Sequence, residues 1–113
     1  MDTEESGWYA VRCIFKLAGS DGGHAYEERV TLWHATSGEE AIARAEAEAV
    51  EYANIIEETP DRYLGVAQSF HLFEIPADGT EVFSLIRESE LPPDAYVDAF
   101  FNTGTERQSP VGD

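Results

Sequence analysis

The chain has 113 residues and a net charge of −16, from seven basic against twenty-three acidic side chains. That length accommodates one domain with one core, and thirteen aromatic residues exclude a disordered tail. The negative field excludes general binding to phosphate backbones, so no nucleic-acid partner is expected. A single cysteine, Cys13, cannot form an internal disulfide and fits a reducing cytoplasm.

Residues 8–17 join aromatic and β-branched types without a breaker and read as a strand. Period-two alternation sets Tyr9, Val11, Cys13, Phe15 and Leu17 against Trp8, Ala10, Arg12, Ile14 and Lys16. The glycine-rich stretch 19–23 predicts a turn. A second strand follows over about 25–34, completing an antiparallel hairpin. Ser37, with Glu40 three positions on, is a capping-box signature. It opens an alanine-rich helix running to about Ile56. Ile42, Ala45, Ala49, Tyr52, Ala53 and Ile56 form its expected buried stripe. Glu40, Arg44 and Glu48 are spaced for a surface ion-pair ladder.

Residues 64–75 and 80–88 read as third and fourth strands around a tight turn at Pro76-Ala77-Asp78-Gly79-Thr80. Pro92-Pro93-Asp94 starts a short second helix that pairs Tyr96 with Phe100 and Val97 with Phe101. The order ββαββα implies an α+β fold, a four-stranded antiparallel or mixed sheet with helices mainly on one face. One compact domain over residues 7–104 is expected, with 1–6 and 105–113 as flexible polar termini. The acidic opening Met-Asp-Thr-Glu-Glu argues against a signal peptide. No run approaches the roughly 18 apolar residues of a membrane span, so a cytoplasmic protein with no membrane partner is expected.

No catalytic or metal motif emerges. His24, His34 and His71 lie far apart, outside any ligand spacing. Cys13 sits among apolar residues without a partner base and reads as core. The carboxylates form no pair set apart by its surroundings, so neither an enzyme nor a cofactor is expected.

Two surfaces are candidates for interaction. Glu39, Glu46, Glu51, Glu57 and Glu58 line the side of the first helix expected to face solvent. Trp8, Arg12, Ile14, Lys16, Arg29 and Trp33 are expected together on the sheet face away from that helix. His71 and Phe73 join them if Phe70 and Leu72 point inward. Exposed tryptophan beside arginine is typical of binding hot spots. The second helix, with Phe100 and Phe101, is the other candidate to cover this face.

The phrases Trp8-Tyr9-Ala10-Val11-Arg12-Cys13, Tyr26-Glu27-Glu28-Arg29-Val30-Thr31-Leu32-Trp33 and Phe100-Phe101-Asn102-Thr103-Gly104-Thr105-Glu106-Arg107-Gln108 resemble a family of small proteins from high-GC soil bacteria. That family is known only as a domain of unknown function. The resemblance spans roughly residues 7–108 and implies a bacterial cytoplasmic origin and a single domain. It brings no activity and no site residues. The residues themselves point to a non-catalytic interaction domain whose acidic surface meets a basic protein, an immunity or inhibitor protein being one concrete form. The alternative is a dimeric small-molecule binder that uses the Trp8/Trp33 face. A homodimer through that face is the simplest form of self-association.

Overall fold

The computed structural model describes residues 6–18 and 24–107. The elements are β1 (Gly7–Lys16), β2 (Tyr26–Ala35), α1 (Gly38–Ala53), β3 (Arg62–His71) and α2 (Pro93–Tyr96), which continues into a π-helical turn, Val97–Phe101. The expected turn at 19–23 lies outside the described residues.

Three strands form one antiparallel sheet in the order β2-β1-β3. The apolar, β-branched β1 takes the centre, where both edges of its backbone are paired. Its Tyr9, Val11, Cys13 and Phe15 point to the face covered by α1, and Phe15 and Val11 are fully buried. Full burial of such a side chain stabilises by about 1.5–3 kcal/mol. The helix meets them through Ala41, Ala45, Ala49 and Ala53, all buried. Four alanines one turn apart leave no bulk between helix and sheet, so the two pack closely. At the helix start a Cβ on Gly38 would lie 3.2 Å from Ser69 Oγ of β3.

Ser37 caps α1 by accepting from the Glu40 amide at 3.0 Å. The Glu40 carboxylate instead reaches the Thr36 amide and hydroxyl at 2.6 and 2.7 Å. The helix ends at Ala53, three residues before the expected end. Asn54 closes it, its side-chain amide donating to the Val50 carbonyl at 2.8 Å. Ile56 therefore falls beyond the helix, 60% exposed, and not on the buried stripe.

The expected four-stranded ββαββα sheet is corrected to a three-stranded one. Residues 80–88 pair with no strand. The turn at 77–80 does form, with Gly79 at φ +81° and the Thr80 amide bonded to the Ala77 carbonyl. However, β3 ends at His71, and the Leu72 amide makes the last bond, to the Trp8 carbonyl at 2.9 Å. The chain has left the sheet before it turns, so the returning segment does not meet the free edge of β3. β-propensity describes fit to a pleated surface and does not supply a pairing partner.

From Phe73 to Arg107 no residue is buried. Neither α2 nor the π-helical turn touches the sheet or α1. The radius of gyration is 16.6 Å, against about 13 Å for a compact chain of this length. The described residues form a ββαβ unit, an antiparallel sheet with α1 on one face, and a C-terminal arm beyond it.

Candidate functional site

Strand register decides which side chains share a face, and it divides the expected sheet-face cluster. Trp8 lies opposite His34, Tyr9 opposite Trp33, and Cys13 opposite Arg29. Arg29 and Trp33 therefore share the α1-covered face with Tyr9 and Cys13, while Trp8, Arg12, Ile14 and Lys16 project from the open face. The expectation that both tryptophans line one face is corrected. The phase of a strand's face follows from a one-residue choice of register. His71 and Phe70 are reversed as well. His71 stacks on Tyr9 at 4.5 Å between ring centroids on the covered face, whereas Phe70 pairs with Ala10 on the open one.

Polar residues of β2 reach α1 and hold the flank of the helix. Arg29 donates to both oxygens of Glu48 at 2.8 and 2.9 Å and lies over the Tyr52 ring. The Tyr52 hydroxyl donates to Glu27 at 2.9 Å. Arg44 donates to the His34 carbonyl and stands 5.3 Å from the Trp33 ring centroid. Glu40, Arg44 and Glu48 thus bind across to the loop and β2, and do not pair with one another as a ladder. The Arg29 bond holds the Glu48 carboxyl below the usual carboxylate range. Burial, followed by the Glu27 bond, pushes the Tyr52 phenol up.

Among the five glutamates of the acidic surface, Glu46 differs. It is half-buried and accepts from the Tyr63 hydroxyl of β3, whose pKa is raised above the phenol range first by burial and then by that bond. Glu39, Glu51, Glu57 and Glu58 are exposed. Glu57 and Glu58 lie beyond the end of α1 at Ala53 and not on its solvent side as expected; that side carries Ala43, Ala47 and Val50, and Ile55 and Ile56 follow the helix, all exposed. These small and apolar side chains were not separable from the buried stripe by composition. Alanine satisfies both helix propensity and close packing.

The open sheet face carries Trp8 stacked on His34, Arg12 bonded to Gln68, and Ile14, Lys16, Tyr26, Val30, Leu32 and Phe70. On β2 Tyr26, Val30 and Leu32 point to this uncovered side together with Glu28 and His34, while Glu27, Arg29, Thr31 and Trp33 point to the helix. That inverts the usual amphipathic rule for a one-layered sheet.

Cys13 is buried, and burial raises its thiol pKa, so it is a poor nucleophile in the folded chain. Among the described residues no group of three His, Cys, Asp or Glu side chains is placed to hold a metal ion. No helix there is long and apolar enough to cross a membrane. A shallow depression of about 180 Å³ lies beside the helix C-terminus, lined by Tyr52, Ala53, Ile55, Ile56, Thr59 and Asp61. It falls below the roughly 300 Å³ at which ligand pockets begin. No protein-family model, curated protein or solved structure matches the chain.

Proposed function

We propose that the chain is a non-catalytic interaction protein that presents the solvent side of α1 to a basic protein partner. The observation that carries this reading is the mixture of exposed side chains there: Ala43, Ala47 and Val50 on α1, with Ile55 and Ile56 just beyond its end, are all exposed along with Glu39, Glu51, Glu57 and Glu58. A helix face shaped for solubility alone would carry charge at those small and apolar positions. An apolar centre with a charged rim is the usual anatomy of a protein interface. The carboxylates would speed encounter with a cationic partner and orient it, while the apolar strip would set the lifetime of the complex. An immunity or inhibitor protein acting on a cationic toxin or nuclease is one protein class with this chemistry.

The test is a pull-down with the purified chain from lysate of its source. A basic protein should be retained and should elute as salt is raised. Changing Glu39, Glu51, Glu57 and Glu58 together to glutamine should slow its association by roughly tenfold or more without altering the thermal unfolding midpoint. An unchanged association rate would remove these carboxylates from the interface.

The small-molecule reading, which holds a ligand between Trp8 and Trp33, loses its geometric basis because the sheet separates the two rings.

A further inference from the structure

Among the described residues two surfaces are largely uncovered, and their chemistry is complementary. One is the open sheet face. Val30 is 44% and Leu32 41% exposed there, beside Ile14 and Tyr26, and the cations Arg12, Lys16 and Arg62 are set among them. Glu28, 3.5 Å from Arg12, is the one carboxylate on the paired positions of that face. The other surface is the arm, Phe73 to Arg107. It carries eight acidic residues against two basic ones and exposes Ile86 at 92% and Phe101 at 78%, with Leu85, Leu91 and Phe100 also exposed.

The arm is not shapeless chain waiting for a fold. Arg87 donates to the Tyr96 hydroxyl at 2.8 Å and lies 4.5 Å from the centroid of the Phe100 ring. Glu106 closes the following turn by accepting from the Thr103 amide and hydroxyl. It thus keeps an internal apolar–cationic cluster while burying none of its side chains. Its base is already directed onto the sheet: Phe83 packs against Phe70, centroids 5.9 Å apart, with the Arg12 guanidinium 5.2 Å from its ring. Phe83 meets Phe70 and Arg12 on the β1–β3 half of the open face, while Tyr26, Val30 and Leu32 on the β2 half stay exposed. Beyond it the arm projects, giving a molecule 56 × 44 × 27 Å in extent.

We propose that the arm and the open face are the two halves of one self-complementary interface. In a two-fold homodimer, each arm from Leu85 onward packs across the β2 half of the open face of a second copy. One rotation satisfies both arms and both faces, as an isologous contact requires. The pairing sets an acidic, apolar segment against a basic, apolar surface and covers apolar side chains exposed on both. The interface lies on the side of the sheet opposite α1, so both acidic helix surfaces remain free for the partner proposed above, and either proposal can fail without the other.

Light scattering over a wide concentration range should give twice the 12.5 kDa chain mass. Leu32→Glu on the face and Ile86→Glu on the arm should each raise the dimer dissociation constant by roughly thirty-fold or more, with an unchanged far-UV circular dichroism spectrum. Arm exchange is tested separately by oxidative cross-linking. A chain with Val30→Cys mixed with a chain with Ile86→Cys should yield a covalent dimer containing one of each. A monomer at every concentration would overturn the proposal, as would a dimer indifferent to both glutamate substitutions. So would a doubly substituted Val30→Cys/Ile86→Cys chain that closes its disulfide within one monomer.

Discussion

The guanidinium of Arg29 is held between Glu48 and Tyr52, bonded to both carboxylate oxygens of the first and lying 3.7 Å from the ring centroid of the second. This contact joins the edge strand β2 to α1 at a place where the apolar core is thin. The Arg29 and Glu48 side chains keep 25% and 33% of their exposure, so solvent screens part of the attraction. Glu48→Gln should therefore lower unfolding free energy at pH 7 by about 1–2 kcal/mol. The Glu48 carboxyl is depressed in the folded chain by its bond to Arg29. Its contribution is thus complete above the ordinary glutamate range near pH ~4.3 and is lost as pH falls through the lower folded value. Urea unfolding at a series of pH values should show wild type and variant converging in acid. A gap independent of pH would mean that the substitution acts through packing alone.

Cys13 lies mid-strand on the covered face, 4% exposed, with its thiol pKa raised by burial. Cys13→Ser should destabilise by about 1–3 kcal/mol, because a hydroxyl costs more than a thiol to remove from water. A thiol reagent should label the native chain only at the rate of opening, and urea should accelerate labelling in step with unfolding. Fast labelling under native conditions would restore Cys13 as a candidate nucleophile.

Gly65 stands in β3 at φ +79°, where two residue steps on β1 from Cys13 to Phe15 are matched by four on β3 from Ala67 to Tyr63. A Cβ at this position would meet nothing within 4 Å, so the cost of Gly65→Ala is one of backbone conformation only. About 1–2 kcal/mol is expected, and Gly65→Asn should recover part of it, since asparagine tolerates the left-handed region. Equal losses for the two variants would point to a contact and not to the backbone.

Sequence made the hairpin, the Ser37 cap and the inward face of β1 legible because each rests on local chemistry: strand propensity, a hydroxyl beside free amides, period-two alternation. The partition of Trp8 from Trp33 was not legible, since it depends on the pairing register, and a one-residue slip exchanges the two faces of a strand. Residues 80–88 have the composition of a strand, but whether a segment meets an edge depends on where the preceding strand lets go, here at His71. The glutamates showed the same limit. Glu39 and Glu51 lie on the solvent side as the helical period implies, while Glu46 sits close enough to the buried stripe for Tyr63 to reach it. Tyr52 was legible as part of the buried stripe, but its bond to Glu27 was not, because a polar pair across two layers leaves no periodic trace.

The two tryptophans should respond differently to the same substitution, and the contrast tests the register directly. Trp33 packs against the core beside Tyr9, donates from its indole nitrogen to Thr31 Oγ1 at 2.6 Å and stands below the Arg44 guanidinium. Trp33→Ala should remove that packing and cost about 2–4 kcal/mol of stability, with no effect on self-association beyond the lost folded population. Trp8 stands on the open face, half-buried and stacked on His34 at 4.9 Å, where an offset aromatic pair contributes about 0.5–1.5 kcal/mol beyond its buried area. Trp8→Ala should cost the monomer less than Trp33→Ala and should weaken the dimer, because the vacated surface belongs to the face on which the arm of the second copy packs. Urea unfolding reads the first quantity and light scattering against concentration reads the second. If both variants weakened association equally while leaving stability unchanged, the tryptophans would share a face, and the register Tyr9↔Trp33 would be wrong.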